Sequence, residues 1–204
     1  MYDWLRFKHP FTCIIAGPRN SGKSTFCITF LQNLDTLWTE QKFKGGIIWY
    51  YSEKTAVPQK QLSEVKKNVQ YHKGVPKSNF ENTQGALCLI ILDNMLTEVY
   101  SEDVRVLFTR GSHQRSISVI LIKQNLFHQG RNCRDIFLNA KYLVLFKNVR
   151  DKRQFSHLAN QVLPEGSTGL FKAYLDATKG THGYVFLDLT HDSEELHRFR
   201  TNVR

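Results

Sequence analysis

Eight residues near the start of this chain, Gly17-Pro18-Arg19-Asn20-Ser21-Gly22-Lys23-Ser24, restrict its fold more than any other stretch. They fit the spacing G-x-x-x-x-G-K-[ST]. The apolar run Phe11–Ala16 precedes them, and Thr25-Phe26-Cys27-Ile28-Thr29-Phe30-Leu31 continues them as a helix with a buried face. A strand, a glycine loop and a helix in that order form a phosphate cradle. The glycines let the backbone wrap close to an anion, so that successive N–H groups point inward. The helix N-terminus adds partial positive charge and Lys23 adds a full one, while the Ser24 hydroxyl can ligate Mg²⁺. A glycine turn beside a surface lysine would give the same letters without needing the strand before it or the helix after it. Gly17, Pro18, Arg19, Asn20, Ser21, Gly22, Lys23, Ser24 and Thr25 are therefore candidate nucleotide-binding residues, and ATP with Mg²⁺ is the expected ligand pair.

The 204 residues suffice for one domain with a full core, and an apolar content of 41% with 23% charged residues is ordinary for a globular protein. No apolar run approaches the roughly 20 residues of a membrane span, and Met1–Arg6 lacks a signal-peptide core. The expected setting is intracellular, in a host or infected cell, or inside a particle made there. Cys13, Cys27, Cys88 and Cys133 form no C-x-x-C pair, and no histidine completes a zinc spacing, so disulfide and zinc readings find no support. The net charge of +10 points to a polyanionic partner, with nucleic acid first and an anionic membrane surface second.

Apolar runs alternate with polar, helix-like stretches, which predicts an α/β fold: a mainly parallel central sheet with helices on both faces. Strands are predicted over Thr12–Ala16, Gly46–Tyr51, Leu87–Leu92, Ser118–Ile122, Tyr142–Phe146 and Tyr184–Leu189. Helices are predicted over Lys23–Leu34, Pro58–Val69, Thr97–Thr109, Asp151–Val162 and Thr168–Ala177, with a polar loop over His72–Gly85. There is no internal repeat, low-complexity tract or interdomain linker, so residues 1–204 read as a single domain.

A phosphate cradle that hydrolyses its ligand needs a buried strand ending in an acid, expected next to the strand of the loop. Leu87-Cys88-Leu89-Ile90-Ile91-Leu92-Asp93 supplies it, and Asp93 emerges at the carboxyl edge, where open α/β sheets bind ligands. There Asp93 can hold Mg²⁺ through Ser24 or water, the Walker B role. The next position, where many motor ATPases carry a second acid, is Asn94. An amide can position a water but cannot take its proton. Glu53, which follows the second strand, competes evenly for the base role with the absence of an efficient base, and Glu98 comes third. Both glutamates also fit structural roles, as a cap or as a first-turn acid. Gln124 ends the fourth strand, placed to sense the γ-phosphate or to orient water. Arg105, Arg110, Arg115, Arg131 and Arg134 supply cations for a transferring phosphoryl group in a neighbouring subunit, and each fits a surface or DNA-phosphate role equally well.

Longer segments carry a resemblance. Leu107-Phe108-Thr109-Arg110-Gly111-Ser112-His113-Gln114-Arg115, Gln124–Arg131, Leu138–Asn148 with Arg150-Asp151-Lys152, and His182-Gly183-Tyr184 are similar to the genome-packaging ATPases of Polinton (Maverick) elements, adintoviruses and related double-stranded DNA viruses. That group belongs to the FtsK–HerA superfamily, with the poxvirus-type packaging ATPases, and the resemblance runs from Phe7 to about Thr201. It implies a RecA-like (ASCE) P-loop NTPase that assembles into a homo-oligomeric ring and drives double-stranded DNA into a preformed capsid. Gly17 to Ser24 match its Walker A, Asp93 its Walker B and Gln124 its sensor position, and Arg115 is the first choice for the arginine acting in trans, ahead of Arg110 and Arg131. The implied partners are double-stranded DNA, further copies of the chain, and capsid or portal vertex proteins, with no membrane. The short C-terminus implies no accessory nuclease or DNA-clamp domain. Asn94 departs from the pattern, because relatives usually carry Asp or Glu there. Two alternatives stand beside the motor: a small nucleotide or nucleoside kinase, and an ATP-gated assembly factor that scarcely hydrolyses.

Overall fold

The computed structural model describes residues 7–34, 46–52, 69–77, 88–93, 95, 100–112, 116–127 and 132–201. Eight strands form one sheet: β1 Thr12–Ala16, β2 Ile47–Tyr51, β3 Val69–Lys73, β4 Cys88–Asp93, β5 Ile117–Lys123, β6 Tyr142–Phe146, β7 Tyr184–Asp188 and β8 Phe199–Thr201, in the spatial order β3-β2-β4-β5-β1-β6-β7-β8. All pairs from β3 through β6 are parallel, and β7 and β8 are antiparallel additions. The helices are α1 Lys23–Gln32, α2 Glu102–Val106, α3 Cys133–Leu138, α4 Arg153–Val162 and α5 Ser167–Ala177; α2 runs on into one wider π turn over Leu107–Gly111.

The sheet is covered on both faces, as its apolar strands require. Cys13, Ile15, Ile91, Ile122 and Val144 pack with Cys27, Ile28 and Leu31 of α1. Ile14, Ile90, Leu121 and Leu143 pack on the other face with Val104, Ile136, Leu158 and Leu170 from α2 to α5. Handedness explains this division. From β1 the chain crosses over α1 toward β2 on one side, whereas α3 carries it from β5 past β1 to β6 on the other. Right-handed crossovers in opposite directions put their helices on opposite faces. β1 is therefore the switch point of the sheet, and the carboxyl ends of β1, β5 and β4 share one edge.

Two expectations are corrected. The acid-bearing strand β4 is not next to β1, because β5 lies between them and pairs with both. The carboxyl end of the expected helix over Pro58–Val69, and the start of the expected loop at His72, belong instead to β3; residues 58–68 lie outside the described residues. β3 is an edge strand with only Val69 and Tyr71 packed inward, so its apolar signal is thin. β7 runs antiparallel because two consecutive helices connect it to β6. α4 descends and α5 returns the chain to the edge it left, so β7 must start from that edge. Short α3 and β8 were not foreseen either.

Candidate nucleotide site at the carboxyl edge

The strand β1 ends at Ala16, and Gly17 N–H still bonds the Lys123 carbonyl of β5 at 3.3 Å before the loop departs. The loop passes too close to β6 for a side chain at Gly17: a Cβ there would sit 2.6 Å from Phe146 Cβ and 2.9 Å from Ser21 Oγ. Gly22 adopts φ 104°, in the left-handed region that favours glycine, and α1 starts immediately after it with Phe26 N–H on the Gly22 carbonyl at 2.8 Å. Among the described residues no side chain caps the N-terminus of α1 at Gly22. Its first-turn N–H groups therefore face the hollow of the loop, with the positive end of the helix dipole behind them.

Three buried polar groups converge on this hollow. Lys23 is 9% exposed, and its ammonium donates to the Pro18 carbonyl at 2.6 Å. Burial pushes its pKa down to about 8, with the charge of Asp93 pulling the other way. Among the described residues Ser21 Oγ is buried with no hydrogen-bond partner. Asp93, the last residue of β4, is 2% exposed and also leaves one buried oxygen, Oδ2, without a partner among the described residues. Burial pushes the Asp93 carboxyl up to about 6, against the opposing pulls of the Trp49 indole N–H and the Lys23 ammonium. Trp49 Nε1 is near enough to exert that pull yet does not complete a hydrogen bond. Asp93 stands across from Tyr51 and Ile122 in the strand register, and Ala16 stands across from Lys123. The backbones of β1 and β4 are therefore two strand spacings apart, about 10 Å. Orphaned oxygens at Ser21 and Asp93, a cradle that a Cβ would fill and an uncapped helix end together fit a magnesium-bound triphosphate.

Around this core the expected residues divide. Ser24 is half-buried in the first turn of α1, while Thr25, Arg19 and Asn20 are exposed. Gln124 lies at the end of β5, half-buried, where it lines a small pocket with Ala16, Gly17, Asn148, Asp151 and Gln154. Arg105 is spent on Glu102 and Asp135. Arg110 sits in the π turn that leads into the amino end of β5, at the edge opposite the glycine loop, so it cannot serve the site of its own chain. Arg134 is exposed on α3. Glu53, Asn94, Glu98, Arg115 and Arg131 lie outside the described residues.

Two contacts were not legible in the sequence. His182 Nδ1 donates to the Ser21 carbonyl at 3.1 Å, anchoring the glycine loop from the turn before β7. Gly183 permits that turn, because a Cβ there would meet the Ala177 carbonyl oxygen at 2.4 Å. Lys123 is buried on the opposite face from Asp93, with its ammonium 5.6 Å from the Tyr100 ring centroid, and burial lowers its pKa to about 8. Its sequence signal was a lysine closing an otherwise apolar strand.

The sheet order and the glycine loop define the α/β fold of P-loop ATPases. The solved structures like it include the genome packaging NTPase B204 from Sulfolobus turreted icosahedral virus 2 in complex with AMPPCP, at TM-score 0.58 and 13% identity over 96% of this chain and 98% of that one. The same NTPase in complex with ATP-gammaS gives TM-score 0.57 and 14% identity, again over 96% and 98%. The cytoplasmic domain of EssC shares 14% identity over 72% of this chain and 33% of its own, with TM-score 0.49. In sequence the chain matches no family model and no curated protein.

Proposed function

We propose that this chain is the ATPase subunit of a ring-shaped motor that drives double-stranded DNA into a preformed capsid. The observation that carries the reading is the convergence of Lys23, the orphaned Ser21 and Asp93 oxygens and the uncapped start of α1 at one sheet edge, with β5 and Gln124 between loop and acid. The same fold in a viral packaging NTPase solved with ATP analogues supports it, as does the net charge of +10.

In this reading the first-turn N–H groups of α1 and Lys23 grip the β- and γ-phosphates. Lys23 first leaves the Pro18 carbonyl, whose bond it holds in place of a phosphate. Ser24 and Asp93 would hold Mg²⁺, which neutralises charge on the transferring phosphoryl group. Gln124 orients the attacking water with help from Asn94, and Glu53, with Glu98 behind it, is the group left to take its proton. Arg115 from a neighbouring copy completes the site. Residues 1–204 act as one ATPase domain.

Replacing Lys23 with Ala removes the buried positive charge of the cradle and leaves only the exposed Arg19. ATP turnover by the variant is expected to fall at least 100-fold, and binding of a fluorescent ATP analogue to be lost with it. A turnover rate that survives Lys23→Ala would refute the site. Acceleration of the wild-type rate by duplex DNA supports the motor, whereas phosphoryl transfer from ATP to a nucleotide acceptor would identify a kinase instead.

A further inference from the structure

The chain segment after β6, Lys147-Asn148-Val149-Arg150-Asp151-Lys152-Arg153, carries four cations and one acid beside the glycine loop. Its shape is fixed from within. Asn148 Oδ1 accepts the N–H groups of Arg150 and Asp151, both at 3.1 Å, and Asn148 N–H donates to the Tyr174 hydroxyl at 3.0 Å. The Asp151 carboxylate is consumed inside the segment, accepting Arg153 N–H at 3.2 Å and the Gln154 amide at 2.9 Å. Three of the four cations face outward, while the half-buried Lys147 ammonium donates to the Lys179 carbonyl at 3.0 Å. Arg150, Lys152 and Arg153 are exposed, and among the described residues none of them pairs with a carboxylate. The first turns of α4 extend this face: Arg153, His157 and Gln161 lie one helical turn apart and border an open depression with Phe127.

We propose that this face, Arg150, Lys152, Arg153 and His157, grips the phosphate backbone of double-stranded DNA. The inference rests on the motor reading for its partner, and on the charge and geometry of this segment for its place. A preformed loop with unpaired cations loses little entropy on binding a polyanion. The exposed cations contact phosphates, which carry no base identity, so binding is independent of sequence. Among the described residues lining the depression the rings are Phe127, packed on Phe137 at 5.1 Å between centroids, and the lone imidazole of His157, which is no extended aromatic platform for a single strand, so duplex is favoured. The face is also tied to the nucleotide edge. Gln154 Oε1 accepts the N–H of Leu126, two residues past Gln124, at 2.8 Å, so movement at the end of β5 is passed through Gln154 to Asp151 and the loop.

The test is the affinity of a labelled 30-base-pair duplex of mixed sequence, measured by fluorescence anisotropy over a salt series. Arg150→Glu/Lys152→Glu is expected to weaken binding at least tenfold near 100 mM salt and to lower the slope of log affinity against log salt by about 2. Lys8→Glu, an exposed cation at the opposite edge of the sheet, is expected to change affinity less than twofold. Melting temperatures within a few degrees of wild type confirm that the variants fold. Wild-type affinity in the double variant overturns the proposal, as does an equal loss in Lys8→Glu and Arg150→Glu, which would make the effect one of bulk charge. Retained duplex affinity with a loss of oligomer mass also overturns it, marking the face as a contact between copies. The motor reading fails separately: if the double variant loses duplex binding but duplex never accelerates wild-type ATP turnover, the surface stands and the motor does not. If duplex accelerates turnover while the double variant binds as wild type, the motor stands and this surface does not. A wild-type chain that does not bind duplex overturns both.

Discussion

Burial opposes the charged form of both Asp93 and Lys23, so each charge is a cost to the folded chain. With its carboxyl pushed up to about 6, Asp93 binds its proton more tightly in the folded chain than in the unfolded one. The stability this gives is fully present below the ordinary carboxylate pKa of about 4 and is lost as pH rises through about 6. Above that the buried charge is a standing cost. Asp93→Asn is therefore expected to stabilise the ligand-free protein by about 1–3 kcal/mol at pH 8, a rise of several degrees in melting temperature, with the gain vanishing toward pH 4. The same variant should lose Mg²⁺-dependent turnover. Thermal melts across pH 4–8, with and without Mg²⁺ and ATP, check both halves. A variant less stable than wild type at pH 8 would show that Asp93 has a structural role. Lys23 has the opposite sign: its lowered pKa makes its burial costly below about pH 8, and that cost eases as pH rises through this value.

At the scale of elements, the glycine loop is clamped between β6 and the turn before β7. The space at Gly17 is closed by Phe146 Cβ, not by the ring, so only glycine fits there whatever the ring does. Gly17→Ala is expected to cost about 1–3 kcal/mol and to abolish nucleotide binding, and a second change of Phe146→Ala should not rescue either loss, because the clashing atom remains. Calorimetric melting and titration with an ATP analogue read the two effects. Recovery in the double variant would contradict the geometry. From the other side, His182 reaches Ser21 only because α4 and α5 together return the chain to the carboxyl edge. A single connecting helix would have placed that turn at the far edge.

For the molecule as a whole, the consequence of the site's position is an open one. The glycine loop and Asp93 lie at a sheet edge, and Arg110, one of the arginines considered for the trans role, sits at the opposite edge of its own chain. Completion by a neighbouring copy follows from the motor reading, and it has a direct measure. Native mass spectrometry or light scattering with ATP-gammaS and duplex DNA should give a particle several times the 23.8 kDa of one chain. A particle of one chain mass under those conditions would rule out the ring. No described helix is long and apolar enough to cross a membrane.

Much of this was written locally. Gly17 to Ser24 specify strand, loop and helix through spacing alone, and the six-residue run before Asp93 is too apolar to sit anywhere but inside a sheet. Local sequence determined those elements because backbone conformation and burial of near neighbours decide them. Strand order was not local. That β5 separates β1 from β4, that β3 closes the edge with a polar strand, and that β7 turns antiparallel all depend on which surfaces meet across long loops. The same holds for the Ser21–His182 contact, 161 residues apart, and for Asp151, whose carboxylate reads as surface charge in sequence but is spent inside its own loop. Sequence determined that this chain has a strand, a glycine loop and a helix, and an apolar strand that ends in Asp93. Only tertiary structure decided how far apart they stand and what holds the loop between them, because pairing across the sheet is settled by packing and handedness rather than by neighbours along the chain.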